Sequence, residues 1–188
     1  MTTQETLEIF RQTRALLEGH FILRSGLHSR QYFQCAQALQ EMPIVEKLGA
    51  ALADKFRHLP IRTVIAPAMG GLVLGQEVAR QLGCRFIFAE KEDGKLVLRR
   101  GFTIAPGEKV LVVEDVITRG GRVEETLKIV RDLQGDIQGI AILVDRSGGK
   151  FKPEYPLFSL LQMNVETFES DQLPEDLKVI PAVHPGSR

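Results

Sequence analysis

Two adjacent carboxylates, Glu114 and Asp115, follow an apolar run at 110–113 and precede Thr118 and a pair of glycines. A hydroxyl and glycine backbone that a ligand can approach closely suit an anion. They do so especially where a helix begins, because free N–H groups and the positive end of the helix dipole lie there. Ionised carboxylates, in contrast, only accept hydrogen bonds. The stretch therefore predicts a ligand site in which acids and anion-binding groups lie side by side.

The elements around this stretch are those of a parallel α/β protein. Residues 110–113 are continuously apolar and rich in valine, as expected for a strand buried on both faces. We predict that the strand ends at Glu114 and Asp115 and that a helix covers about 121–133. Because ligands of open α/β sheets bind beyond the carboxyl ends of the strands, the acids should face a ligand. The alternative is a strand–helix turn of another doubly wound protein with acids there by chance; a Walker-type phosphate loop is excluded because its motif does not occur.

Further periodic patterns surround this unit, and a chain of 188 residues can form one domain with a sizeable core. Gly19 is predicted to end the first helix, and the last strand places Arg146 on the same rim as Asp115. Periodic apolar residues predict helices, and short apolar runs predict strands. The helices cover 3–18, 42–59 and 72–82, and the strands cover 63–66, 84–89 and 137–144.

Composition narrows the function classes. Lys plus Arg and Asp plus Glu both number 24, so the formal net charge is zero and no global basic field attracts nucleic acid. The chain has no hydrophobic leader and no apolar run near the length of a membrane span. Two cysteines, Cys35 and Cys84, fit reduced core thiols, and the four histidines have no metal-ligand spacing. We therefore expect a cytoplasmic protein with no nucleic-acid or membrane partner.

The stretch from Val110 to Gly121 resembles the signature of the type I phosphoribosyltransferases, a hydrophobic strand followed by two acids and a Thr/Gly-rich loop. The resemblance implies that Glu114 and Asp115 hold the ribose hydroxyls of phosphoribosyl pyrophosphate while the loop wraps its 5′-phosphate. The chemistry agrees, because carboxylates suit a vicinal diol and N–H groups with a hydroxyl suit a phosphate. The loop residues implied to bind this substrate are Val116, Ile117, Thr118, Arg119, Gly120, Gly121 and Arg122.

The same resemblance implies the type I phosphoribosyltransferase fold, which is an α/β fold. Its central, mostly parallel sheet is flanked by helices. A small hood is expected from the N-terminal segment and the C-terminal region. We expect one domain over 1–188, with hood contributions from about 19–40 and 155–170.

The N-terminal segment narrows the resemblance to the orotate phosphoribosyltransferases. Residues 21–32 read F-x-L-x-S-G-x-x-S-x-x-Y, a pattern similar to that family's, and they predict a hairpin that turns at Ser25-Gly26. The resemblance implies that this segment covers the pyrimidine, with Tyr32 or Phe33 as the aromatic side chain next to the base. Arg24 stands where the family has a basic residue.

Three residues are implied to bind orotate: Thr118, Arg146 and Arg24. Arg146 follows a predicted strand and matches the family's orotate-binding arginine. A planar guanidinium can bind a carboxylate through two parallel hydrogen bonds, which suits a base that bears a carboxylate. The alternative for Arg146 is a surface ion pair with Asp145 or Glu114.

Two further loops are assigned through the resemblance. Ala68, Met69, Gly70 and Gly71 follow the strand at 63–66 and are implied to approach pyrophosphate; close helix–strand packing is the alternative for this loop. Asp93-Gly94 predicts a hairpin turn, and a charged turn of this kind is usually only solvated. In the family, the corresponding loop is mobile and closes over the neighbouring subunit of a homodimer. The residues implied to act from it are Lys91, Lys95 and Arg99.

The implied reaction transfers the 5-phosphoribosyl group from phosphoribosyl pyrophosphate to orotate, giving orotidine 5′-monophosphate and pyrophosphate in pyrimidine biosynthesis. Glu114, Asp115 and Lys91 are the implied catalytic residues. Mg²⁺ is the implied cofactor, with no direct protein ligand assigned. The alternatives are a phosphoribosyltransferase for another base and a non-catalytic, metabolite-sensing regulator with the same fold.

Overall fold

The computed structural model describes residues 1–23 and 25–185. Helices alternate with strands through the middle of the chain, while both ends contribute short antiparallel strands. The elements in chain order are α1 (Thr3–Gln12), β1 (Leu16–Ile22), β2 (His28–Phe33), α2 (Ala36–Leu39), α3 (Met42–Ala53), β3 (Thr63–Pro67), α4 (Gly71–Leu82), β4 (Arg85–Glu92), β5 (Lys95–Leu98), β6 (Lys109–Ile117), α5 (Gly121–Asp132), β7 (Asp136–Asp145), β8 (Leu157–Gln162), β9 (Thr167–Phe168) and α6 (Glu175–Lys178).

The main sheet has six strands in the order β5-β4-β3-β6-β7-β8. All neighbours are parallel except β4 and β5, which form an antiparallel hairpin at one edge. β6 lies inside the sheet, and its residues 110–113 have no exposed surface. The expectation of a mostly parallel sheet flanked by helices is confirmed.

Successive side chains of β6 point to opposite faces of the sheet, so one strand contributes to two core layers. Leu111 and Val113 belong to the cluster that contains residues of α1, α3 and α4. Val110 and Val112 belong to the cluster that contains Val123 of α5. An apolar run without alternation is what a strand covered on both faces requires. In the described part of the chain, no helix combines the length and the apolar character that a membrane span needs.

A second, antiparallel sheet has the order β1-β2-β9 and forms the hood. The predicted hairpin is present, with Leu16 opposite Phe33 and Ile22 opposite His28. The expectation that 155–170 joins the hood is wrong for its first half, because β8 pairs in parallel with β7 and extends the main sheet. The second half does reach the hood, where β9 pairs with β2 and the Ser29 hydroxyl donates to the Glu166 carbonyl (3.1 Å). The partner of an edge strand depends on the folded topology, which local sequence does not encode.

The predicted helix over 3–18 ends early, at Gln12, with Thr13 as its C-cap. Arg14 adopts a positive φ of 56°, which stops the helix, and Leu16 then begins β1. The pairing of Leu16 and Leu17 with β2 outweighs the helical spacing of the apolar residues. Gly19, expected as the helix stop, lies inside β1 instead. The helix predicted over 42–59 likewise ends earlier, at Ala53.

Candidate active site

Glu114 and Asp115 lie near the carboxyl end of β6, at the rim of the main sheet. The strand was predicted to end at them, but it continues to Ile117 because Val116 and Ile117 still pair with β7. Glu114 is buried, with 3% of its surface exposed, and Asp115 is half-buried. The Asp115 N–H donates to Glu114 Oε1 (3.0 Å), and the Val116 N–H donates to Asp115 Oδ1 (2.8 Å). Local backbone donors therefore orient both carboxylates.

Burial dominates the electrostatics of this acidic pair. Loss of solvent, together with the neighbouring Asp115 charge, raises the pKa of Glu114 well above its ordinary value. Burial also raises the pKa of Asp115. Two carboxylates this close resist carrying two charges, so a hydroxyl donor or a cation next to them would favour the ionised form. The pair is therefore suited to bind a polyol or a cation.

The loop of Ala68, Met69, Gly70 and Gly71 closes against the acidic pair. A Cβ atom built on Gly70 would lie 2.6 Å from Asp115 Oδ1, and one on Gly71 would lie 3.3 Å from Glu114 Oε1. The Ala68 carbonyl accepts a hydrogen bond from Arg122 Nη1 (3.2 Å), while the Met69 side chain is 80% exposed. The structure thus brings this predicted loop to the predicted acids, where a side chain at position 70 would collide with Asp115.

The loop between β6 and α5 leaves the helix N-terminus open. Thr118, Arg119, Gly121 and Arg122 are exposed. Gly120, the N-cap, has a φ of 76°, a conformation that glycine adopts readily, and no side chain caps α5. The first N–H groups of the helix are therefore available to an anion, as the sequence pattern predicts.

Arg146 follows β7 on the same rim, and its backbone N–H donates to the Ile117 carbonyl (2.9 Å). Its guanidinium carbon lies 5.5 Å from the centre of the Phe33 ring. Its Nε is buried and has no acceptor among the described residues. Asp145 does not pair with it; that carboxylate accepts the Ser147 N–H instead (2.8 Å). The alternative of an ion pair with Asp145 or Glu114 is therefore not what the structure shows.

Burial lowers the pKa of Arg146, since desolvation disfavours its charged form. Arginine nevertheless stays protonated in proteins. A buried guanidinium N–H without a partner costs free energy unless a ligand supplies an acceptor. Arg146 is thus prepared to receive an anion.

Cys35, expected to be a reduced core thiol, is free and buried. Burial raises its pKa well above the ordinary value, the charges of Asp115 and Glu114 raise it further, and Arg146 opposes them. The thiol therefore lies within electrostatic range of both the acids and the arginine. The sequence did not mark Cys35 as a neighbour of the site.

The hood supplies the remaining wall. Phe33 is buried under Arg146 and also meets Phe10 edge-on, with ring centres 5.9 Å apart. Tyr32 lies close enough that its charge would raise the pKa of Arg146. The resemblance implied Tyr32 or Phe33 as the aromatic side chain next to the base, and the structure places Phe33 against Arg146. Arg24, predicted to contact orotate, lies outside the described residues.

The charged hairpin is confirmed, with Asp93 and Gly94 as a two-residue turn at φ of 48° and 84°. It lies against α5, where Glu125 Oε2 accepts the Leu96 N–H (3.2 Å). Arg99 pairs with Glu92 (3.4 Å). No hydrogen bond or ion pair between described residues joins the predicted cations of this hairpin to the acidic pair. Those cations are the exposed side chains of Lys91, Lys95 and Arg99.

Comparisons with known proteins agree with this geometry. Residues 36–175 match the family model of the phosphoribosyl transferase domain. The chain is 52% identical over 188 residues to an orotate phosphoribosyltransferase of Caldicellulosiruptor saccharolyticus and 50% identical over 188 residues to that of Desulforamulus reducens. Each alignment covers 100% of this chain and 98% of the relative.

Solved structures show the same fold. The orotate phosphoribosyltransferase of Aeropyrum pernix has a TM-score of 0.67 at 22% identity and covers 83% of this chain and 92% of its own. The UMP synthase of Leishmania donovani has a TM-score of 0.73 at 17% identity, covering 87% of this chain and 37% of its own. An adenine phosphoribosyltransferase of Thermoanaerobacter pseudethanolicus reaches 0.63 at 19% identity, with 71% and 88% covered. The likeness in structure shows the fold, and the identity over the whole chain shows that this protein belongs to the orotate phosphoribosyltransferase family.

Proposed function

We propose that the rim formed by β6, β7 and the hood is the site where this orotate phosphoribosyltransferase transfers the 5-phosphoribosyl group from phosphoribosyl pyrophosphate to N1 of orotate. The single observation that carries the proposal is Arg146, whose buried Nε lacks an acceptor among the described residues. The carboxylate of orotate supplies one, and a guanidinium can hold it through two hydrogen bonds. Thr118 and Arg24 are proposed to complete the orotate contacts.

The sugar is proposed to bind between the acids and the start of α5. Glu114 and Asp115 accept hydrogen bonds from the two ribose hydroxyls. These bonds favour the ionised form of the pair, which burial otherwise disfavours. The 5′-phosphate binds the open helix N-terminus and the Thr118 hydroxyl, with Arg119 and Arg122 nearby. Support comes from the uncapped first turn of α5 and from the exposure of this loop.

Breaking the anomeric C–O bond builds positive charge on the sugar and negative charge on the departing pyrophosphate. The carboxylates of Glu114 and Asp115 favour the cationic sugar. The loop at 68–71 approaches the pyrophosphate, and its closeness to Asp115 supports this role. Lys91, together with Lys95 and Arg99, is proposed to neutralise the leaving group once the hairpin closes. Closure would also exclude water, the competing nucleophile.

Mg²⁺ is proposed to accompany the sugar donor. Among the described residues no group of three or more His, Cys, Asp or Glu side chains could hold a metal ion. Mg²⁺ is commonly bound through one or two carboxylates plus substrate phosphates, so Glu114 and Asp115 are the protein groups that fit it. When bound, the ion neutralises negative charge on the pyrophosphate. Orotate enters as an anion, so the chain needs no strong general base.

The assembly and location are further proposals. We propose a homodimer in which the hairpin acts at the neighbour's rim. In support, among the described residues the hairpin cations make no hydrogen bond or ion pair to the acidic pair of their own chain. A single domain over 1–188 is supported by one core cluster that joins hood residues such as Phe33 to main-sheet residues such as Leu111. Both cysteines are free, the state expected in a reducing cytoplasm.

The test is turnover of orotate, measured as loss of its ultraviolet absorbance with phosphoribosyl pyrophosphate and Mg²⁺ present. Adenine, hypoxanthine and uracil are offered in parallel with the same donor. Consumption of orotate alone, dependent on the donor, is the expected result. Preference for another base would show that the site accepts a substrate other than orotate and would refute the proposal. Donor binding without turnover of any base would instead support the regulator.

A further inference from the structure

Phe151, in the segment between β7 and β8, lies directly over the glycine at which α5 begins. A Cβ atom built on Gly120 would lie 2.7 Å from Cγ of Phe151 and nearer still to two other ring atoms. Gly120 is buried beneath this ring, and its carbonyl accepts the first hydrogen bond of the helix from the Glu124 N–H (2.9 Å). The ring therefore rests on the backbone of the loop 118–121 and fills the space that a side chain at position 120 would need.

The same ring packs against a core cluster that has members on both sides of that loop. Phe151 is half-buried and packs against the core cluster that includes Ile117, which ends β6, and Val123, in the first turn of α5. These two residues flank the loop 118–121 along the chain. The loop is thus held at its two ends by buried residues and from above by an aromatic ring that is fixed to the same core.

A tight turn connects Phe151 to Arg146. Four residues lie between them, and the Lys150 N–H donates to the Ser147 carbonyl (3.2 Å). Arg146 is held by hydrogen bonds that do not involve Phe151, because its own N–H donates to the Ile117 carbonyl and the Ser147 N–H donates to the Asp145 carboxylate. Loss of the ring should therefore disturb the loop 118–121 more than the position of Arg146.

We propose that Phe151 is a positioning residue for the donor phosphate. Its ring holds the backbone of residues 118–121 in the conformation whose N–H groups bind the 5′-phosphate of phosphoribosyl pyrophosphate. The ring has no hydrogen-bond donor and acts only through the loop. This inference rests on the proposed function, since it takes the loop to be the phosphate site.

The experiment compares the full-length protein with Phe151→Ala and Phe151→Leu. Initial rates give KM for each substrate, and calorimetry with Mg²⁺ gives Kd for phosphoribosyl pyrophosphate. We expect the alanine variant to raise both donor constants about tenfold while the orotate KM changes less than about twofold, because loss of positioning weakens one subsite. The leucine variant keeps part of the contact and should lie between. Unchanged donor affinity, or an equal rise in both KM values, overturns the proposal.

Phe158→Ala is the matched control. Phe158 is also half-buried, but it lies on β8, packs against the other core cluster and has Lys55 Nζ 4.9 Å from its ring centre. This variant should lower Tm about as much as Phe151→Ala and leave the donor Kd unchanged. If it raises the donor Kd equally, the effect is general loosening of the fold and the proposal fails.

A double variant tests the contact itself. Gly120→Ala introduces a Cβ that collides with the ring, so adding Phe151→Ala should recover part of the lost donor affinity, although strain from the positive φ remains. Additive losses would contradict the contact. Calorimetry with the donor also separates this inference from the proposed function. Failure of the wild type to consume orotate refutes that function, whereas an active wild type with unaltered donor affinity in Phe151→Ala refutes only the role of Phe151.

Discussion

At the scale of single residues, the rim holds two ionisable side chains whose charged forms are disfavoured by burial. Glu114 lies against another carboxylate, and Arg146 has a donor without an acceptor. Buried charges are normally paired, and departures from this rule concentrate at functional sites. Each residue lacks what one part of the substrates supplies: hydroxyl donors for the acid and a carboxylate for the arginine. The two side chains can therefore be tested separately.

Replacing Arg146 should weaken orotate binding selectively. Arg146→Ala removes a charge-assisted bond worth roughly 1.5–3 kcal/mol, so KM for orotate should rise on the order of 10- to 100-fold. KM for phosphoribosyl pyrophosphate should change much less, since the donor is proposed to bind at β6 and α5. Arg146→Lys should not restore wild-type KM, because an ammonium cannot bind the carboxylate in a planar fork. Steady-state kinetics with each substrate varied in turn measures both constants.

The control for this prediction is Arg57→Ala. Arg57 is exposed and pairs with Asp54 at 2.6 Å on the surface, away from the rim. Exposed pairs contribute little, so both KM values should remain at wild-type levels. An orotate KM that Arg146→Ala leaves unchanged would remove Arg146 from the site.

Replacing Glu114 should stabilise the fold and impair the enzyme. Because its pKa is raised on folding, the folded chain binds more protons than the unfolded chain between the ordinary and the raised pKa, and stability falls as pH rises through that window. Glu114→Gln removes this loss but can still accept the Asp115 N–H. We expect a higher Tm than wild type at neutral pH, by about 2–4 °C per kcal/mol recovered.

The stability difference should shrink as pH falls from neutral towards about 4.3 and vanish below it, where the unfolded glutamate is itself protonated. Meanwhile kcat/KM for the donor should fall, since a neutral amide favours the cationic sugar less. Thermal unfolding across pH, together with kinetics at neutral pH, checks both parts. Glu8→Gln, at an exposed position of α1, should change neither. A Tm gain that persists unchanged at low pH would contradict the electrostatic explanation.

At the scale of elements, the start of α4 lies so close to the acidic pair that substitutions along this helix can distinguish an effect on activity from an effect on packing. Gly70 has an ordinary φ of −58°, so alanine is compatible with its backbone, yet a Cβ there would lie 2.6 Å from Asp115 Oδ1. Gly70→Ala should displace the carboxylate and reduce kcat/KM tenfold or more, on the order expected for a misplaced group, with little loss of stability.

Gly75→Ala is the matched comparison on the same helix. Its Cβ would lie 2.7 Å from Phe86 Cε2 and 2.8 Å from the Ala66 Cβ, inside the core. Overpacking of this kind typically costs 1–3 kcal/mol, so Tm should fall while KM values remain normal. Denaturation curves and kinetics on both variants give the comparison. Equal effects of the two substitutions on activity would show that displacement of Asp115 is not the cause of the loss.

Sequence predicted the elements whose signals are local. β6 follows from an uninterrupted apolar run, and the hairpin turn follows from Asp93-Gly94, whose positive φ angles are those the turn needs. The helix predicted over 3–18 extends only to Gln12, because Leu16 pairs with a strand formed 17 residues later, at Phe33. The position of β8 in the main sheet was missed for the same reason. Non-local pairing decides both outcomes, and periodicity within a segment does not contain it.

The residues of the candidate site likewise fall into those that sequence predicted and those that it did not. The acids and Arg146 were predicted to share a rim because parallel strands end at a common edge of the sheet. The role of Arg146 and the assignment of the glycine loop came from the resemblance to the family. Sequence left Phe33 as one of two candidates for the contact with the base and did not assign Cys35 or Phe151 to the site. Apolar residues in ordinary patterns carry no chemical signal. Their roles appear only when the hood and the segment after β7 fold back onto the rim.

At the scale of the whole molecule, both ends of the chain meet at the hood. The Ile22 N–H donates to the Val183 carbonyl (2.9 Å), and Arg30 binds Asp176 through two hydrogen bonds of 2.7 and 2.8 Å. The C-terminal segment is thus bonded to the hood, while Phe33 joins the hood to the core of the main sheet. The hairpin with Lys91 lies instead at the far edge of the sheet, on β4 and β5. This separation suits a hairpin that serves a neighbouring subunit.

Mixing two inactive variants tests that arrangement. Lys91→Ala leaves its own acids intact, and Asp115→Asn leaves its own hairpin intact, so a hybrid of two subunits contains one complete site if the hairpin acts in trans. In a twofold-symmetric dimer with random exchange, activity should recover to about a quarter of the wild-type value. Each variant mixed with itself under the same exchange conditions is the control and should stay inactive. Hybrids of confirmed composition that remain inactive would show that each chain completes its own site. In that arrangement every site of the hybrid lacks either Lys91 or Asp115.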